Sequence, residues 1–198
     1  MATGIVIILL AAGASRRMAG TDKLLGRISG QPLVARSAAA CLASRAERVL
    51  AVVRDQNSAV AAILADLGVE TAVNPRADHG MAGSLVAGLE AAGDGAAGYL
   101  VALADMPEIA ARDINRLIDG FDPALARTVW QATTPDRQPG HPVLFHPSLV
   151  PELLCLTGDF GARDLIKQGD VTRITVETGP GAVIDLDTPT DWAAYRKN

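Results

Sequence analysis

The stretch Leu10-Ala11-Ala12-Gly13-Ala14-Ser15-Arg16-Arg17-Met18-Ala19-Gly20-Thr21-Asp22-Lys23-Leu24-Leu25 sets small residues and then cations directly behind the first apolar run. Small side chains at Ala11, Ala12 and Gly13 let backbone amides approach a ligand closely, and clustered amides bind anions. Arg17 can fork onto phosphate oxygens, while Lys23 offers a compact point charge. Together with Arg16 and Arg27 they form a local basic cluster in a chain of formal net charge −4. Binding of a polyphosphate is the chemistry this combination suits. The same residues also fit an ordinary βα turn with a solvated basic face. A P-loop is excluded, because Asp22 and Leu24 flank Lys23 where that loop needs Gly and then Ser or Thr.

Carboxylates supply the complementary chemistry. Asp105 follows the apolar run Leu100-Val101-Ala102-Leu103-Ala104 and precedes Met106-Pro107. A carboxylate at the end of a central strand can hold Mg²⁺ together with substrate phosphates, and it can equally cap the turn that follows. Asp185 and Asp187, two apart in Ile184-Asp185-Leu186-Asp187-Thr188-Pro189, project to one face of an extended segment. Either could ligate metal, and Thr188 with Pro189 reads as the start of a last helix. Three further segments stand out: Gly80-Met81-Ala82-Gly83-Ser84-Leu85, Gly140-His141-Pro142-Val143-Leu144-Phe145 and Gly158-Asp159-Phe160-Gly161-Ala162-Arg163. From the residues alone these are as readily a helix start, an edge strand and a turn.

For such groups to act together, several elements must end at one place. Short apolar runs alternate with segments of helical period, which is the pattern of βα units and a mostly parallel sheet. Strands are expected at Ile5–Leu10, Arg48–Val53, Glu70–Val73, Tyr99–Leu103, Thr128–Ala132, Pro142–Phe145, Thr172–Val176 and Val183–Leu186. Helices are expected at Pro32–Ala43, Ser58–Leu67, Ala82–Ala92, Arg112–Gly120, Ser148–Leu156, Gly161–Lys167 and Pro189–Tyr195. The fold class is therefore α/β, a three-layer arrangement in one domain spanning residues 1–198, with ligands beyond the carboxyl ends of the strands. The motif Gly93-Asp94-Gly95-Ala96-Ala97-Gly98 enters a strand, whereas a dinucleotide fingerprint leaves one; it reads as a connector.

Composition narrows the alternatives. With 49% hydrophobic residues, 198 residues can bury a full core. The acidic balance argues against a nucleic-acid partner. Two cysteines, Cys41 and Cys155, far apart and outside CxxC spacing, speak against disulfides or zinc and for a reduced, cytoplasmic setting. No run reaches the ~20 apolar residues of a membrane span. No Lys or Arg precedes Ile5–Leu10, so that run reads as a buried strand and not as a signal peptide.

The assembled motifs resemble the molybdenum-cofactor nucleotidyltransferases, a MobA-like NTP transferase family, from about Ile5 to Trp192. The glycine-loop-to-lysine segment carries most of the resemblance, and Asp105-Met106-Pro107 and Asp185-Leu186-Asp187-Thr188-Pro189 support it. The Gly140–Phe145 and Gly158–Arg163 segments look like the branch that makes molybdopterin cytosine dinucleotide from CTP and molybdenum-bound molybdopterin. The resemblance implies a Rossmann-like nucleotidyltransferase fold in which Leu10, Ala11, Ala12 and Gly13 hold base and ribose, with Ser84 near the base. It implies that Arg17 and Lys23 hold the triphosphate and that Asp105 ligates Mg²⁺, assisted by Asp187 or Asp185. It places His141, Asp159 and Arg163 by the phosphorylated acceptor, molybdopterin, and allows transient contact with a recipient molybdoenzyme or its chaperone. The sequence departs from the family pattern at Ala104 and Ala19, where Gly is usual. Ala12 stands where the guanylyltransferase branch carries Gly, and its methyl group narrows the space beside the base, which suits a pyrimidine. Transfer from GTP, transfer to a sugar or polyol phosphate, and a non-catalytic cofactor-binding maturation protein are the alternatives.

Overall fold

The computed structural model describes residues 4–15, 17–18, 21–74, 77, 80–157 and 162–196. Its strands, in chain order, are β1 (Ile5–Leu10), β2 (Arg27–Ile28), β3 (Gln31–Pro32), β4 (Arg48–Val53), β5 (Glu70–Val73), β6 (Gly98–Leu103), β7 (Thr128–Thr133), β8 (Pro139–Phe145) and β9 (Thr172–Glu177). Its helices are α1 (Leu33–Leu42), α2 (Ala59–Asp66), α3 (Met81–Ala92), α4 (Ala111–Gly120), α5 (Val150–Leu154), α6 (Ala162–Ile166) and α7 (Pro189–Tyr195). A seven-stranded sheet runs in the order β5-β4-β1-β6-β8-β7-β9, with β8 antiparallel to both its neighbours and every other pairing parallel.

Alternation along β1 sets the layers. Ile5, Ile7 and Leu9 enter one core with Leu33, Val34, Ile114 and Leu117, from α1 and α4. Val6 and Ile8 enter the other with Leu85, Leu89, Leu153 and Leu165, from α3, α5 and α6. Residues of a central parallel strand are covered on both faces, so β1 is apolar at every position. Each fully buried Ile or Leu contributes about 1.5–3 kcal/mol relative to exposure. The result is a three-layer α/β/α Rossmann-like fold with a mostly parallel central sheet.

Several expected elements take another form. Val183–Leu186 is not a strand: Val183 closes a 3₁₀ turn, Pro180–Val183, and the chain then runs on irregularly. Within it Leu186 is buried and Val183 and Ile184 partly so, and the Leu186 amide makes a backbone hydrogen bond to the Asp105 carbonyl (3.1 Å). The helix expected over Ser148–Leu156 is a 3₁₀ turn, Pro147–Leu149, followed by α5, since Pro147 and Pro151 both lack an N–H. The β2–β3 hairpin was not anticipated. Its two-residue turn places Ser29 (φ 50°) and Gly30 (φ 82°) in the left-handed region, the geometry a tight hairpin needs. The Gly93–Gly98 motif joins α3 to β6, as a connector should.

Candidate active site

Strands β1 and β6 lie side by side at the centre of the sheet, and the loops leaving their carboxyl ends meet. The Ala104 amide donates to the Leu10 carbonyl (3.1 Å), which ties the two exits together. The Ala11 amide donates to the Val52 carbonyl (2.9 Å) and so extends the ladder to β4. Ala11 is accordingly absent from the cavity wall, although its small size in the sequence pointed there; the wall of the loop begins at Ala12. A cavity of about 370 Å³ opens at this point, with Leu10, Ala12, Gly13, Lys23, Ser84 and Asp105 among its lining.

Local chemistry presents Lys23 to that cavity. Asp22 caps the 3₁₀ turn Lys23–Leu25 by accepting from the Leu24 amide (3.0 Å). Ser15, held in the left-handed region (φ 46°), accepts from the Lys23 amide (3.1 Å) and donates to Asp22 Oδ1 (3.2 Å). The Lys23 side chain is only 10% exposed, and its ammonium lies 2.5 Å from Asp105 Oδ2 while also donating to Asp187 Oδ1. Burial alone would lower the pKa of this amine. The charge of Asp105 and the hydrogen bonds to both carboxylates outweigh that, so it is held above its usual value and stays charged.

Asp187 reaches the same place from the far end of the chain. The Leu186–Asp105 backbone bond pins its segment against the exit of β6. Asp191 then accepts from the amides of Asp187 (3.1 Å) and Thr188 (2.7 Å), while the Thr188 hydroxyl accepts from the Asp191 amide (3.2 Å). This reciprocal cap starts α7 with Pro189 in its first turn, as the sequence suggested. Arg17, 71% exposed, bonds Asp187 Oδ2 at 3.0 Å.

One oxygen each from Asp105, Asp185 and Asp187 lies within 4.8 Å of the others. Asp105 Oδ1 is buried and has no hydrogen-bond partner among the described residues. Burial, and then the neighbouring charges of Asp187 and Asp105, push the Asp185 carboxyl above the usual carboxylate range. Three carboxylates converging from two loops, with Asp105 Oδ1 unpartnered among the described residues, suit a hard divalent cation, and the residues present fit one. Both members of the 185/187 pair are therefore at the site.

The remaining predicted residues divide. Ser84, in α3, lines the cavity and is buried; its hydroxyl accepts from Asn74 Nδ2 (3.1 Å), which leaves its own hydrogen free to donate. His141 and Arg163 line a second cavity of about 280 Å³ that shares Leu10 and Met81 with the first. Burial pulls the His141 imidazole below its usual pKa, and its Nδ1 has no hydrogen-bond partner among the described residues. Asp159 lies outside the described residues, as does Arg16.

Sequence reasoning passed over Ser15, Asp22, Asn74 and Trp192. The Asp22 cap carried a readable signal, an Asp before a short helical turn. The Asn74–Ser84 pair and the packing of Trp192 on Gly26 had none, since both depend on elements meeting in space.

The family model for the MobA-like NTP transferase domain matches residues 7–173. Purine catabolism protein PucB of Bacillus subtilis (strain 168) is 30% identical over 201 residues, covering 96% of this chain and 95% of PucB. Nicotine blue oxidoreductase of Paenarthrobacter nicotinovorans is 30% identical over 165 residues, 81% of this chain and 80% of that protein. Among solved structures, Rv0371c from Mycobacterium tuberculosis H37Rv matches at TM-score 0.83 and 28% identity, with both chains covered completely. Its complex with manganese matches at TM-score 0.78 and 26% identity over 99% of this chain and 100% of that one.

Proposed function

Because the chain belongs to the MobA-like NTP transferase family, we propose that it transfers the NMP unit of an NTP to a phosphorylated small molecule and releases pyrophosphate. One observation carries this reading: Lys23, Asp105 and Asp187, from three separate loops, share one ion-paired cluster on the wall of a single cavity. An acceptor phosphate oxygen is already an anion, so its attack on the α-phosphorus needs no general base. The new P–O bond forms as the α–β bridge breaks, and catalysis reduces to alignment and charge neutralisation. A divalent cation, Mg²⁺ in this proposal, held by Asp105 with Asp187 or Asp185, supplies neutralisation at the triphosphate.

Lys23 stabilises charge growing around the α-phosphorus, Arg17 holds the departing pyrophosphate, and backbone groups of Leu10, Ala12 and Gly13 hold the base and ribose. Ser84 donates a hydrogen bond toward the base. His141, Arg163 and Asp159 serve the acceptor, which the adjoining second cavity is large enough to receive in part. The NTP is CTP, in keeping with the Ala12 methyl group at the cavity wall. The acceptor is molybdopterin, on the strength of the Gly140–Phe145 and Gly158–Arg163 motifs. In this proposal the 198 residues act as one nucleotidyltransferase domain in the cytoplasm, with transient contact to a recipient molybdoenzyme or its chaperone. Among the described residues, no helix is long and apolar enough to cross a membrane.

The test is incubation with each NTP in turn, Mg²⁺ and molybdopterin, reading pyrophosphate and product mass. A cytosine dinucleotide product supports the full proposal; a guanine dinucleotide product moves the base choice to GTP. Tight CTP binding with no pyrophosphate from any acceptor would reduce the protein to a carrier.

A further inference from the structure

Both oxygens of the Asp187 carboxylate are held by cations, Oδ1 by the Lys23 ammonium and Oδ2 by Arg17 at 3.0 Å. The same ammonium bonds Asp105 Oδ2 at 2.5 Å, which leaves Asp105 Oδ1 without a partner among the described residues. A divalent cation shared by Asp105 and Asp187 therefore meets a cation already seated on each oxygen of Asp187, and like-charge repulsion sets it in competition with one of two side chains. Their release differs in consequence. Arg17, at 71% exposure, returns to water, whereas Lys23, at 10%, has little water to return to. A charged amine displaced inside a partly dry pocket is costly unless a second anion receives it. Lys23 already lines the cavity that opens over the carboxylates, so an anion bound there lies within its reach.

We propose that Lys23 is an exchangeable internal cation that makes metal binding at Asp105 and Asp187 depend on an occupied nucleotide cavity. When a triphosphate enters, the ammonium transfers to it and an oxygen of each carboxylate is freed for the metal. Nucleotide thus raises metal affinity, and by linkage metal raises nucleotide affinity by the same factor. The identity of the anion rests on the nucleotidyltransferase reading; the competition between ammonium and metal does not.

Mn²⁺ binding, followed by calorimetry or by the EPR signal of the free ion, tests this directly. Wild type, Lys23→Met and Arg17→Ala are compared with Mn²⁺ alone and with α,β-methylene CTP or α,β-methylene GTP, whose bridging carbon blocks turnover. Lys23→Met is expected to bind Mn²⁺ alone roughly tenfold or more tightly than wild type, and to lose the gain that the analogue gives wild type. The inference is overturned if Lys23→Met binds Mn²⁺ no more tightly than wild type. It is equally overturned if Arg17→Ala, and not Lys23→Met, shows the gain. Should Lys23→Met fail to fold, Lys23→Gln replaces it; should both fail, absence of analogue-dependent Mn²⁺ affinity in wild type overturns the inference. If neither analogue binds while Lys23→Met still gains Mn²⁺ affinity, the CTP and GTP readings fall and the exchange stands. Loss of that gain with analogue still bound removes the exchange and leaves the transferase reading intact.

Discussion

The indole of Trp192 lies directly against the backbone of Gly26: a Cβ at Gly26 would come within 2.5 Å of Cη2 and 2.6 Å of Cζ2. Gly26 ends the turn that carries Lys23, and Trp192 belongs to the helix that follows Asp187. The contact packs the turn that carries Lys23 against the helix that follows Asp187.

Gly26→Ala should cost about 1–3 kcal/mol in stability, the usual range for overpacking a filled site. Trp192→Phe should relieve part of that cost, because the atoms in conflict belong to the six-membered ring of the indole. Denaturant unfolding of the two single variants and the double variant gives the coupling between the positions. Strict additivity would remove the contact from any role in placing Lys23.

Lys23→Ala and Asp105→Ala should each lower turnover by about 10²-fold or more, the range for removing a preorganised charge from a site of this kind. Circular dichroism should show the secondary structure retained. Near-normal turnover in either variant takes that residue out of the proposed chemistry.

Ala12→Gly should raise efficiency with GTP relative to CTP. One methyl group at a cavity wall is worth roughly tenfold in discrimination. The measurement is the ratio of kcat/KM for the two nucleotides before and after the change. An unchanged ratio would mean that base choice is made elsewhere in the cavity.

Stability should fall as the medium is acidified below pH 6.5, the ordinary value from which burial pulls His141 downward. The sign follows from proton counts: in that window the unfolded chain takes up a proton on this imidazole that the folded chain resists. The contribution is complete above the unfolded value and is lost as pH falls toward the folded one. His141→Gln should flatten this part of the profile, read as denaturant midpoints on both sides of pH 6.5. An identical slope in the variant would assign the acid sensitivity to other groups.

Much of the frame was legible from the residues. The expected bounds of β1, β4 and β5 match those observed: β1, covered on both faces, leaves an uninterrupted apolar record, whereas β5 is an edge strand with Glu70 and Val73 exposed, marked by the Gly68 and Asn74 that bracket it. The same record misled at Val183–Leu186. Apolar spacing reports burial, and here Leu186 is buried and Val183 and Ile184 partly so, without the segment continuing the sheet's ladder. At the loop, small size marked Ala11 and Ala12 alike. Only the register of β1 against β4 spends the Ala11 amide on Val52 and leaves Ala12 at the cavity.

The sequence by itself determined which groups carry charge, which runs must be buried and which loops follow strands, since propensity, period and turn chemistry act over a few residues. Tertiary structure alone decided that Lys23 meets Asp105, 82 residues away, and Asp187, 164 residues away. That meeting depends on β1 and β6 being neighbours and on one amide of Leu186 finding the end of β6. It was not visible in any local pattern because the free energy that selects it is shared across the whole sheet and both of its faces.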